Sequence, residues 1–229
     1  MRAVLLLILF ASTAPAAAAS CIAIIGTGSV GGALGPLFAG SGHEVIYGSR
    51  SPDAERVREL VKSTAGGARA ALPAEAAGAC GVIVFAVPWE AAEASFRSLG
   101  PLAGKIVVDV SNPLDVRDGQ VVAIPVPNSG AELLQSWAPQ ARIVKAFNTV
   151  NYRVMLDPAI AGGPVSVPIA GDDDNAKKMV AELVRGIGLD PVDVGPLRAA
   201  RYTESMAMLY VSLLIRDGPA YEFYLRPRP

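Results

Sequence analysis

The chain has one histidine, His43, among 229 residues. A Ser-His-Asp set needs a histidine at the reacting edge. His43 stands in a turn ahead of an apolar run, where a structural role is expected. There are two cysteines, Cys21 and Cys80, and no CxxC pair. Cys/His metal clusters and dithiol redox motifs therefore have nothing to build on. Charged residues are scarce at 18%, and the net charge is −1. No basic face for nucleic acid follows from such a balance. The one acidic run, Asp172-Asp173-Asp174, reads as a helix start, where carboxylates suit the dipole. Three adjacent acids on a helix diverge, so no metal site is expected from them. Aromatics supply only 6% of the chain, but hydrophobic residues supply 52%. That is enough core for one large domain, or for one domain with a small appendix.

The chain starts with a leader pattern. Arg2 precedes an apolar stretch at 3–11, and Ala17-Ala18-Ala19 forms a small-residue cleavage region. A signal peptide over residues 1–19 is expected, with an exported chain, periplasmic or extracellular. A retained anchor and a misplaced start, which would leave a cytoplasmic protein, stay open as alternatives.

Directly after it comes the most informative segment. The apolar run 22–25 leads into Gly26-Thr27-Gly28-Ser29-Val30-Gly31, then a small-residue helix, then a strand at 44–47. A strand, glycine turn, helix and strand within about 30 residues give GxGxxG the context of a dinucleotide fingerprint. Gly26 permits the tight turn, Gly28 lets a pyrophosphate approach, and Gly31 lets the helix lie on the sheet. The helix N-terminus offers free N–H groups and partial positive charge to phosphates. An NAD site places a carboxylate at the end of the second strand. This strand ends Tyr47-Gly48-Ser49-Arg50. A hydroxyl and a guanidinium suit a 2′-phosphate, so NADP(H) is the expected cofactor.

Apolar runs then alternate with helical patterns. Strands are expected at 69–72, 82–87, 106–110, 143–147, 165–170 and 191–194, with helices at 52–63, 89–99, 131–137 and 175–186. This rhythm gives an α/β fold, a Rossmann-type doubly wound parallel sheet. The stretch 203–216 is helical and apolar nearly all round, as for a small helical C-terminal cap buried on several sides. A homodimer seam through this helix is the alternative. The expected division is residues 20–199 for the Rossmann-type domain and 200–229 for the cap. Cys21 and Cys80 are expected as two small buried residues, with a bridge the less favoured reading.

Ligands lie outside the carboxyl ends of such strands. There the sequence places Gly26 to Gly31, Ser49, Arg50, Val87, Pro88, Asn112, Lys145, Ala146 and Asn148. Val87-Pro88 is apolar and rigid, suited to a nicotinamide ring. Asn112 and Asn148 suit a carboxamide or a flavin edge. Lys145 reads as a general acid, an anion clamp or a structural charge. No catalytic side chain and no metal ligand is assigned. Hydride transfer between two carriers needs neither, because the cofactors do the chemistry.

The chain resembles the NADP oxidoreductase family that uses the deazaflavin coenzyme F420, and the NADPH-binding domain of STEAP-type metalloreductases. The resemblance runs from Ile22 to about Pro219. It rests on IAIIGTGSVGGALG, the YGSR strand end, FAVPWEA from Phe85, VVDVSNPL from Val107, VKAFNTV from Val144, and the stretch PIAGDDDNAKKMVAELVRGIGLDPVDVGPLRAARYTE from Pro168. It implies pyrophosphate at residues 27–30, the 2′-phosphate at Ser49 and Arg50, and the nicotinamide side at Val87 and Ala146. Deazaflavin members often carry a Lys four residues past the Arg; here Ala54 stands there. KAFNT is closer to the metalloreductase form, though no transmembrane domain is expected after Pro229. The implied function is hydride transfer between NADP(H) and coenzyme F420 or a flavin, FMN or FAD. The rivals are an imine or small-carbonyl reductase, with Lys145 or Tyr202 as proton donor, and a non-catalytic NADP(H)-binding module.

Overall fold

Residues 21–25 are apolar at every position, the pattern of a strand buried on both faces. They form β1 (Cys21–Ile25) in the computed structural model, which describes residues 20–123 and 126–226. The expected leader, residues 1–19, lies outside the described residues. After β1 come α1 (Ser29–Gly40), β2 (Glu44–Gly48), α2 (Glu55–Ser63), β3 (Arg69–Ala71), α3 (Pro73–Ala79) and β4 (Val82–Phe85). The chain continues through α4 (Ala92–Arg97), β5 (Ile106–Asp109), β6 (Leu114–Arg117), β7 (Gln120–Ala123), α5 (Gly130–Trp137) and β8 (Arg142–Lys145). It ends with α6 (Tyr152–Leu156), β9 (Ser166–Gly171), α7 (Asp174–Gly186), β10 (Asp190–Gly195) and α8 (Ala200–Asp217).

Eight strands form one sheet in the order β10-β9-β8-β5-β4-β1-β2-β3. The order reverses between β1 and β4, which pair in parallel with Ile22 opposite Val82. Alternate side chains of β1 feed opposite faces. Ile22 and Ile24 join Leu34, Phe38 and Val180 on one face, while Ala23 and Ile25 join Phe85, Phe96 and Leu134 on the other. Two covered faces make the sheet doubly wound. It is mostly rather than wholly parallel: β8 and β9 pair antiparallel. The connection between them holds one α-helix, α6, of five residues, well short of the usual crossover helix.

Two elements differ from expectation. A β6–β7 hairpin stands off the sheet, closed by Asp118 and Gly119, both at positive φ. That is the backbone of a type I′ turn, for which Asp-Gly is a preferred sequence. Helix α8 is less buried than its composition implies. Thr203, Glu204, Ala207 and Tyr210 face inward, while Leu209 and Ile215 are exposed. His43 is buried, accepts a hydrogen bond at Nδ1 from the Ser20 amide, and is held below the usual histidine range by burial. The acidic triplet starts α7: Asp173 caps it through the Ala176 amide, and Asp172 accepts from the Leu197 amide.

The cysteines form a disulfide, with Cα atoms 4.9 Å apart. The expectation of two unbridged thiols rested on the usual burial of cysteine and on neighbouring strands, which satisfy the distance of a bridge more easily than its direction. Cys80 instead closes α3, before β4 begins, so its direction is free of the sheet. Lys105 Nζ fixes this corner by donating to the carbonyls of Gly78 and Cys80. In folded, unreduced protein both cysteines should resist alkylation, and both should react after reduction. Cys80→Ser should cost about 2–4 kcal/mol of stability. Labelling before reduction would contradict the bridge.

Candidate cofactor cleft

The turn after β1 is shaped by what its glycines exclude. Gly26 has φ +103°, and a Cβ there would lie 2.3 Å from the Ala86 carbonyl oxygen. A Cβ on Gly31 would lie 2.0 Å from the Gly26 oxygen. These positions pin the turn to the end of β4 and α1 to the turn. Gly28 is the opposite case, since a Cβ there would meet nothing within 4 Å. It is the N-cap of α1, with no side-chain cap and no acid in the first turn. The first amides of α1 keep their partial positive charge for a ligand.

Around this turn lies a cleft of about 910 Å³. The glycine turn supplies Gly26, Thr27, Gly28, Ser29 and Val30 to its wall. Ser49, Arg50, Ser51, Ala54 and Arg56 line the end beyond β2. Val87, Pro88, Trp89 and Glu90 follow β4, and Val110, Ser111 and Asn112 follow β5. Leu114 from the hairpin and Val211 from α8 complete the apolar side. Ten of the fourteen residues marked by sequence meet here; Gly31, Lys145, Ala146 and Asn148 do not line the cleft. Its charged residues are Arg50, Arg56 and Glu90.

Lys145 is fully buried at the end of β8. Its Nζ lies 2.8 Å from Asp109 Oδ2, 2.8 Å from Glu204 Oε1, and 2.6 Å from the Ser111 carbonyl oxygen, to which it donates. Burial opposes the charge, but the two carboxylates more than offset it, so the ammonium holds its proton above the ordinary lysine range. Glu204 also accepts from the Gly130 and Ala131 amides at the start of α5. Lys145 is thus committed to joining β5, β8 and α8. Of the three readings of this lysine, the structural charge describes its surroundings. Ala146 is equally buried, its amide donating to Asp109 O.

Phe147 sits at φ +63°, a left-handed turn for a bulky residue. The turn brings Asn148 against Asn112. Asn148 Nδ2 donates to Asn112 Oδ1 at 2.9 Å, and Asn112 Nδ2 donates to the Asn148 carbonyl at 3.1 Å. Asn148 therefore reaches the cleft only through Asn112. Trp89 is held by stacking on Trp137, centroids 6.2 Å apart, and by the bare backbone of Gly130, where a Cβ would meet its ring at 2.9 Å.

Sequence reasoning missed Arg56. It lies in the first turn of α2, yet its Nη1 donates to the Thr27 carbonyl and its Nη2 to Thr27 Oγ1 at 3.0 Å. Nothing local separates it from Arg58; only the docking of α2 beside the glycine turn does.

A mostly parallel sheet with this turn, uncapped helix and guanidinium edge defines a dinucleotide-binding protein of the Rossmann type. The family described as NADP oxidoreductase, coenzyme F420-dependent, matches residues 21–113. The crystal structure of a proposed F420-dependent NADP-reductase from Arthrobacter sp. FB24 is 33% identical, with a TM-score of 0.81 over 90% of this chain and 99% of that one. The F420-dependent NADP reductase of Methanothermobacter thermautotrophicus is 29% identical over 86% of this chain and 90% of its own. Metalloreductase STEAP3 of Rattus norvegicus is 34% identical over 82% of this chain, which spans only 36% of that protein. The chain belongs to the F420-dependent family of NADP oxidoreductases.

Lys145→Met would leave two buried carboxylates without their cation, a loss of about 3–5 kcal/mol. In wild type, the raised lysine contributes stability fully below the ordinary lysine range and loses it as pH rises through its folded value. Denaturant titration against pH should therefore show the wild-type advantage over Lys145→Met intact at neutral pH and shrinking only in strong alkali. An advantage that fades near neutrality would contradict this role.

Proposed function

We propose that this protein passes hydride between NADP(H) and a second carrier, coenzyme F420 or a flavin. The carrying observation is the make-up of the cleft. Its phosphate end gathers Arg50, Arg56 and an uncapped helix start, and its far end is apolar, with Val87, Pro88, Trp89, Val110, Leu114 and Val211. Reduced nicotinamide supplies the hydride when bound. Residues 27–30 would hold the pyrophosphate, Ser49 and Arg50 the 2′-phosphate, and Val87 and Pro88 the ring. Asn112, steadied by Asn148, would orient an amide or ring edge from the side.

Among the described residues, the lining offers one carboxyl, Glu90, and it is exposed. Lys145 is committed to its carboxylates, which removes it as a donor for an imine or carbonyl. Hydride transfer to C5 of a deazaflavin or N5 of a flavin needs orientation and water exclusion, and the reduced carrier takes its one proton from solvent rather than from a placed acid. Anaerobic NADPH oxidation against F420, FMN, FAD and ferric chelates tests the reading. Turnover with F420 or a flavin is expected, and Glu90→Gln should keep most of the rate. Reduction of an imine without any such carrier would favour the reductase rival. Arg50→Ala should weaken NADPH by about tenfold to a hundredfold and spare NADH. Equal loss for both would sink the 2′-phosphate assignment.

We also propose export. The leader pattern of residues 1–19 and the Cys21–Cys80 bridge support it, because disulfides persist outside the cytosol. Intact mass after cell fractionation tests it. A mature chain starting near Ser20 outside the cytosol is expected, and a full-length cytosolic chain would overturn it.

A further inference from the structure

By sequence, the end of β2 carries one guanidinium; in space it carries two. We propose that Arg56 is a second specificity residue for the 2′-phosphate, acting with Arg50 from the first turn of α2; the inference rests on the NADP(H) reading above.

Arg50 and Arg56 line the same end of the cleft, with Ser49 and Ser51. Ala54, between them, contributes no charge. Among the described residues, Arg50 makes no hydrogen bond or ion pair, and Arg56 bonds only to Thr27, 29 positions away. Neither guanidinium is thus neutralised by a carboxylate. Asp53 and Glu55 flank Arg56 in sequence but do not line the cleft. Thr27 is buried and belongs to the turn that meets the phosphates, whereas Arg56 is exposed. The side chain therefore lies from one wall of the phosphate end to the other.

A phosphate monoester carries nearly two negative charges and three acceptor oxygens. One guanidinium fork satisfies two oxygens and one charge. A second fork completes both counts, and Arg56 is the remaining cation in the lining. It has five N–H donors, and Thr27 engages two of its nitrogens. The simpler alternative is a staple, in which Arg56 only ties α2 to the glycine turn. The two roles separate by cofactor. The turn serves the pyrophosphate common to NADPH and NADH, so a staple supports both alike. A 2′-phosphate ligand acts on NADPH alone.

Dissociation constants for NADPH and NADH should be measured on wild type, Arg56→Ala and Arg56→Lys, with thermal unfolding as a check on folding. Arg56→Ala should weaken NADPH by about tenfold and change NADH by less than about twofold. Arg56→Lys keeps the charge without the fork and should recover part of the loss. Added salt should erode NADPH affinity less steeply in Arg56→Ala than in wild type. Equal weakening of both cofactors would overturn the proposal in favour of a staple. No change in either would make Arg56 an ordinary surface cation. If wild type binds neither cofactor, the NADP(H) reading falls first, and the inference with it.

Discussion

One buried ammonium holds the C-terminal helix to the sheet. Lys145 closes β8, Asp109 closes β5, and Glu204 lies in the first turns of α8. Two carboxylates against one ammonium leave a net negative charge in the interior. The start of α5 answers part of it, giving two amides and a helix N-terminus to Glu204. Burying such charges is costly, so the network makes sense as a device of position rather than of raw stability. It fixes how α8 crosses the sheet end, and α8 brings Val211 to the cleft. It also holds the Ser111 carbonyl beside Asn112. The shape of the apolar end thus depends on a cation that never reaches the cleft.

The glycine turn sets the other end. Gly26 and Gly31 bring backbone to within a distance that no Cβ tolerates, while Gly28 leaves open space at the start of α1. Local sequence carries all of this, because each glycine acts on neighbours a few residues away or on the adjoining strand. The strands were legible for the same reason: β1, β4 and β5 are apolar runs bounded by turns, and β8 carries Ile143 and Val144 at its centre. The Asp118-Gly119 hairpin carried a readable signal as well, an Asp-Gly pair between short alternating segments.

Other features were not legible, and each depends on contacts distant in sequence. Lys145 looked available because it ends a strand at the ligand-binding edge. It is buried by a helix 55 positions or more along the chain. Nothing in the local sequence marks Arg56; only its reach to Thr27 does. Cys80 is the C-cap of α3, so strand geometry does not set the direction of its side chain. Helix α8 was read as buried nearly all round, but its two apolar faces meet different surroundings, one the core and one the exterior. Periodicity reports that a face is apolar, not what covers it.

Carrier-to-carrier transfer accounts for the cationic phosphate end, the apolar far end and the commitment of Lys145 elsewhere. Its most direct test follows the transferred hydrogen itself. NADPH carrying deuterium at C4 would be oxidised anaerobically in ordinary water with F420 as acceptor, and the reduced deazaflavin analysed by mass. The account predicts that one C4 epimer delivers its deuterium to the acceptor's C5 carbon, which does not exchange it with solvent. Reduced acceptor free of deuterium from either epimer would show that the hydrogen came from water, and would contradict direct transfer.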